Sequence, residues 1–303
     1  MSLAWAVGRS TVFVGLIAIA ACRPTDAPTV APSAETATAP EPEPPPPVED
    51  PRRPEVLERL EKIGVIGASQ SAGFGTGLGF RDTLEVALRV PHTIHDSSIS
   101  SMFLRPLDLG SLQVSSMRLR GVKTVFAVDF LFWFAYGIKP FEQRRAELRQ
   151  GMEMLDELGV PVFVGDLPDV HGASRKMISP RQIPRPDELV VLNDDIRQWA
   201  RQRPLVHLVP LAEWMRLIKE EREVPLGDQV IDESTGALLQ WDLLHATERG
   251  QALLTLLVLQ SLSEDWGGLN DDDVLADPKA VVDLATPTHD AGPEGALPVP
   301  GRD

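Results

Sequence analysis

The chain has 303 residues, 43% of them apolar, and carries 29 basic against 44 acidic side chains, a formal net charge of −15. That surplus of negative charge argues against a nucleic acid or an anionic lipid surface as the main partner. A single cysteine, Cys22, excludes an intramolecular disulfide and a cysteine-based metal site. The two ends lack sustained apolar period, so about 210 residues are left for one folded core.

In chain order, residues 1–22 join a short segment with Arg9 as its only basic side chain to an apolar run from Thr11 to Ile19, then small residues and Cys22. The run is too short to cross a bilayer and predicts a secretory signal. Its end, Ile19-Ala20-Ala21-Cys22, resembles the lipobox of bacterial lipoproteins. This resemblance implies lipid on the Cys22 thiol, cleavage just before it, and attachment to a membrane by more than one acyl chain. Arg23 lacks the aspartate that commonly marks inner-membrane retention, so the same resemblance favours the outer membrane, facing the periplasm or the surface. Residues 23–53 are rich in proline and acid and read as a disordered tether, with roughly 30 residues at about 3 Å each. Residues 267–303, rich in Asp, Pro and Gly, read as a disordered tail in which Asp271–Asp273 is a solvated run without EF-hand spacing.

Between these ends, residues 54–266 are expected to form one domain. A short amphipathic helix over Glu55–Lys62 leads into Ile63-Gly-Val-Ile-Gly67, a buried strand that stops at small residues. The second strand is placed over Leu88–His95, interrupted by Pro91, and the third over Lys123–Phe132. A helix follows over Pro140–Leu158, with Phe141, Leu148, Met152 and Leu155 on one stripe and Gly159 ending the pattern. The fourth strand covers Val160–Gly165, the next helix Asp187–Arg203, the fifth strand Leu205–Val209, and two helices Ala212–Glu221 and Thr247–Leu262. Strands separated by helices imply parallel pairing and right-handed crossovers, hence an α/β fold: a three-layer α/β/α sandwich with a five-stranded, mostly parallel sheet. Reactive groups then collect beyond the carboxyl ends of the strands.

Where the first strand stops, Val65-Ile-Gly-Ala-Ser69-Gln-Ser-Ala-Gly73 sets a serine on a turn of small residues. Small neighbours let the backbone bend tightly and leave the hydroxyl exposed, as a nucleophile requires. The same turn also suits a phosphate-cradling glycine loop or a plain Gly/Ser turn, although neither a P-loop ending nor GxGxxG spacing is present. Far downstream, Gln240-Trp241-Asp242-Leu-Leu-His245-Ala-Thr-Glu-Arg-Gly250 precedes an apolar helix. An aspartate three residues ahead of a histidine can accept its Nδ1 hydrogen bond and leave Nε2 free to take a proton from a serine. Alone, His245 reads as readily as a surface or capping residue at a helix start.

Serine after the first strand and Asp-x-x-His before the last helix resemble the SGNH (GDSL-type) hydrolase family, over roughly Val56–Leu262. Gly67-Ala-Ser69 stands at a block that is usually Gly-Asp-Ser, and Asp242–Gly250 at one that is usually Asp-x-x-His-Pro-Thr-x-x-Gly. The resemblance implies a flavodoxin-like fold with Ser69 as nucleophile, His245 as general base and then acid, and Asp242 as its orienting partner. It implies no cofactor. Its substrate would be a carboxylic ester at the cell envelope, an O-acetylated glycan or a lipid ester, with acyl transfer to another hydroxyl as a variant.

Two blocks depart from the family pattern. Asp96-Ser-Ser98-Ile-Ser-Ser stands for Asn-x-Gly-x-Ser-Gly, putting Ser98 where a glycine N–H helps hold the oxyanion. Ala127-Val-Asp129-Phe130 stands for Gly-x-Asn-Asp, putting Asp129 in place of the asparagine donor. An ionised carboxylate there would repel developing negative charge, so Asp129 must turn away, bind a proton or serve other chemistry. The backbone N–H groups of Ser69 and Ser98, with the Ser98 hydroxyl, are the expected donors. The alternative that these departures imply is a binding or envelope-organising lipoprotein without turnover. Trp241 is placed beside the site, while Phe130, Phe132, Trp133, Phe134 and Tyr136 suit either the core or a pocket. His92, His95 and His171 lie on separate loops without zinc spacing, so no metal is expected.

Overall fold

The computed structural model of the chain describes residues 50–286; the expectations for Cys22, residues 1–22, residues 23–49 and residues 287–303 lie outside them. Helix α1 (Arg53–Leu60) has Pro54 in its first turn and delivers Val56 and Leu60 to the core. Strand β1 (Lys62–Val65) follows, with Ile63 and Val65 fully buried. A Cβ on Gly64 would lie 2.5 Å from Met117 Sδ, so glycine lets the covering helix approach the strand. Helix α2 (Phe80–Ala87) and strand β2 (Thr93–Asp96) come next, then a 3₁₀ turn over Ser100–Leu104 and helix α3 (Pro106–Arg120).

Strand β3 (Thr124–Ala127) and strand β4 (Val162–Gly165) are buried at every residue, as strands covered on both faces must be. Between them lie the one-turn helix α4 (Phe132–Ala135) and helix α5 (Phe141–Asp156). Helix α6 (Pro186–Arg201), strand β5 (Val206–Val209) and helix α7 (Leu211–Lys219) follow. An antiparallel hairpin of β6 (Val224–Leu226) and β7 (Gln229–Ile231), the short helix α8 (Thr235–Leu238), helix α9 (Glu248–Trp266) and helix α10 (Pro278–Ala285) complete the described chain.

The main sheet has the order β2-β1-β3-β4-β5 and every pairing in it is parallel. One apolar cluster, drawn from α1, α2, α7, α9 and α10, covers one face, and a second, drawn from α3, α4, α5 and α6, covers the other. This is the three-layer sandwich expected from the alternation of strands and helices. Strand order reverses between β1 and β3, and the crevice beyond their carboxyl ends is where such folds place their reactive groups.

All five expected strands are present, each shorter than the apolar run that announced it. The second begins only after Pro91, because the missing N–H and fixed φ keep proline out of the ladder. Helix α3 was not foreseen because its stripe is inverted: Gly110 and Gln113 face inward, whereas Leu112 and Leu119 face solvent. Gly110 makes room for the rings of Phe130 and Phe134.

The expectation of a tail from residue 267 is corrected as far as residue 286. Leu275 N–H bonds to Ala87 O at 2.8 Å, Arg89 N–H bonds to Asp273 O at 2.7 Å, and Val281 of α10 is fully buried against α2 and α9. The acidic composition hid this segment because its aspartates act as local caps and partners. Asp277 accepts from Lys279 N–H at the start of α10, and Asp273 pairs with Arg53 of α1. Val281→Ala should therefore lower unfolding free energy by about 2 kcal/mol in a denaturant titration. Asp271→Ala, at an exposed position, should leave the midpoint in place.

Candidate active site

Past β1 the chain leaves the sheet at Gly67, whose N–H and C=O are both held by the Gln113 side-chain amide at 2.9 Å. A Cβ at position 67 would meet Asp129 Oδ1 at 2.2 Å and Ser71 Oγ at 2.4 Å, so no side chain fits. The next four residues turn around one carboxylate. Asp129 Oδ1 accepts from Ala68 N–H at 2.9 Å and from the Ser71 hydroxyl at 2.5 Å, and Oδ2 accepts from the N–H groups of Gln70 at 2.9 Å and Ser71 at 3.3 Å. Of the successive amides from Ala68 to Ser71, only Ser69 N–H has no acceptor among the described residues.

Ser69 itself is half-buried, and its Oγ lies 2.9 Å from His245 Nε2. The other imidazole nitrogen, Nδ1, is 2.8 Å from Asp242 Oδ2. His245 and Asp242 are buried. Asp242 Oδ1 takes the backbone N–H groups of Leu244 and His245, each at 3.0 Å, a wrap made by Leu243 in the left-handed region at φ 53°. Burial opposes ionisation of the Asp242 carboxyl, but the hydrogen bonds from His245 and from these two amides outweigh it and hold the group below the ordinary carboxylate range. Thr247 caps α9 by accepting Gly250 N–H, and a Cβ at Gly250 would collide with Leu238 O at 1.9 Å. The histidine loop is thus pinned between α8 and the start of α9.

The structure brings Ser69, Asp242, His245 and Asp129 together, but Asp129 does not stand as an oxyanion donor. It turns away from the oxyanion position, under the nucleophile turn, as an acceptor. Ser98 also differs from expectation. Its N–H donates to Asp96 Oδ1 at 2.7 Å, because an aspartate two residues earlier closes an Asx turn over it, so this amide is not free for an oxyanion. Trp241 is adjacent to the site in sequence but 69% exposed and outside the cavity. His92 bonds to Val90 O, His95 faces Arg120, and His171 pairs with Asp169, so the three serve separate local contacts.

Three contributors had no sequence signal. Gln113 holds Gly67 from an otherwise unremarked helix. Gln70 links the nucleophile turn to the histidine loop, accepting from Ala246 N–H at 3.0 Å while its amide nitrogen donates to Gln251. Phe74 lies against the imidazole of His245, with ring centroids 4.6 Å apart. Among the five aromatics after β3, Phe130, Phe134 and Tyr136 are core, and Phe132 lines a cavity of about 100 Å³ that opens at Ser69 and His245.

No protein-family description and no curated protein matches the sequence. Solved structures with a similar course include TesA, at 17% identity and TM-score 0.44 over 67% of this chain and 98% of that one. They also include the psychrotrophic esterase EstA from Pseudoalteromonas sp., at 13% identity and TM-score 0.44 over 67% of this chain and 96% of that one. The acetylxylan esterase Axe2 from Geobacillus stearothermophilus is a third, at 14% identity and TM-score 0.42 over 68% and 94%.

Two outcomes follow from this geometry. Asp129→Asn puts an amide N–H among groups that all donate, so turnover should fall by at least about tenfold through misplacement of Ser69, while substrate KM changes little. Asp242 stabilises the folded chain above its unfolded pKa, and that contribution is lost as pH falls through its depressed folded pKa. The stability difference between wild type and Asp242→Asn should thus shrink as pH is lowered below about 4, read by thermal unfolding.

Proposed function

We propose that the protein is a serine hydrolase of the SGNH type that cleaves carboxylic esters through an acyl-Ser69 intermediate. The observation that carries this reading is the unbroken line of hydrogen bonds from Asp242 through His245 to Ser69, at 2.8 and 2.9 Å. His245 Nε2 takes the Ser69 proton as Oγ attacks the ester carbonyl, and returns it to the alkoxide as the C–O bond breaks. A water then gives its proton to His245 and attacks the acyl carbon, which releases the acid and restores Ser69. Ser69 N–H is the donor left free at the turn to meet the oxyanion. Another hydroxyl in place of that water would make the same site an acyltransferase.

The second reading, a chain that binds esters without turnover, draws on the two donors that the oxyanion side lacks. Loss of one such donor costs about 10²–10³ in turnover. A fluorophosphonate probe separates the two readings, because it reports the reactivity of the serine itself. Wild type should label and Ser69→Ala should not; a wild type that stays unlabelled across the near-neutral range would leave only the binding reading.

The lipobox at Cys22 and the composition of residues 23–53 support attachment of this hydrolase to the outer membrane, with an ester of the cell envelope as substrate. In a bacterial host fed an alkyne-labelled fatty acid, the protein should carry the label and Cys22→Ala should lose it and leave the membrane fraction. Label on the Cys22→Ala protein would sink the anchor.

A further inference from the structure

The cavity that opens at Ser69 and His245 runs between α7, α8 and α9, on the face of the sheet opposite α5. Helix α9 lines it with Gly250, Leu253, Leu254 and Leu257, and α7 adds Trp214 and Ile218. Its carboxylates and side-chain amide are already engaged. Asp129 serves the nucleophile turn and Gln70 bridges to Ala246 and Gln251. Asp166 accepts Ala212 N–H at 2.7 Å and faces Arg197. Away from Ser69 and His245 most of the lining is leucine and other apolar side chains, so it offers a ligand mainly apolar contact.

We propose that this cavity is an acyl-chain pocket and that the preferred substrate is an ester of a medium-chain fatty acid of roughly eight carbons, not an acetyl ester. The proposal rests on the hydrolase reading above. The α9 positions from Gly250 to Leu257 line the cavity and span about 10 Å at 1.5 Å per residue. An extended chain covers that distance with roughly eight carbons at about 1.3 Å each. The acyl group occupies the cavity and the alcohol does not, because the alcohol must leave and water must take its place beside His245. Exposed Phe74, against the His245 ring, marks that open side.

Burial of each methylene should raise kcat/KM by about fourfold until the pocket is full. The test uses the full chain lacking residues 1–22 and p-nitrophenyl esters from acetate to dodecanoate, with alkyl acetates of matching length as the second series. The expected result is a rise of roughly a hundredfold or more from acetate to octanoate, a plateau or fall beyond it, and no such rise with alcohol length. Leu254→Trp and Ile218→Trp, which narrow the pocket, should lower the octanoate-to-acetate ratio at least about tenfold in protein that still labels with the fluorophosphonate probe. A flat or acetate-preferring acyl series in labelled protein overturns the pocket and leaves the hydrolase standing, as does a rise confined to the alkyl acetates. Absence of both labelling and turnover on every ester overturns the hydrolase reading and the pocket with it.

Discussion

One carboxylate organises the nucleophile turn. Three backbone amides and a hydroxyl converge on Asp129, from Ala68, Gln70 and Ser71 just beyond the end of β1. Buried or half-buried amides demand acceptors, and a group with two oxygens can take several at once. The turn therefore adopts the one arrangement in which its N–H groups face inward and its serine faces out. Gly67 is required by the same approach, since the carboxylate lies where its Cβ would be.

Asp129 comes from just past the end of β3, next to β1 in the sheet, so its carboxyl needs only a short reach across neighbouring strands to meet the turn. Negative charge near a developing oxyanion is unfavourable, and here it is directed at the rear of the turn, where N–H groups absorb it. Ser69 N–H is spared from that service and stays available.

The fold was legible because its strands are nearly continuous apolar runs and helices such as α5 and α6 keep an apolar stripe, while α2 and α3 were not foreseen from the sequence. The triad was legible because its members sit at chain positions tied to strand and helix ends: Ser69 just after β1, and Asp242 and His245 just before α9. What escaped was carried by residues with no periodic or compositional mark. Gln113 and Gln70 act through single amide groups, and Leu243 acts through its φ. The role of Asp129 was invisible because sequence shows which residue stands at a position and not where its side chain points. The segment after residue 267 was misread for a related reason, since an average over composition cannot register two apolar anchors such as Leu275 and Val281.

The bridge through Gln70 has a temporal consequence. Its partners Ala246 and Gln251 are 176 and 181 positions away, so the nucleophile turn and the histidine loop become one unit only after α9 has docked. A chain made from its N-terminus carries Ser69 near the front of the core, together with Gln113 and Asp129, long before His245 arrives. Until then the serine has a shape but no histidine partner. The hydrogen-bonded line from Asp242 to Ser69 is thus closed only by completion of the fold.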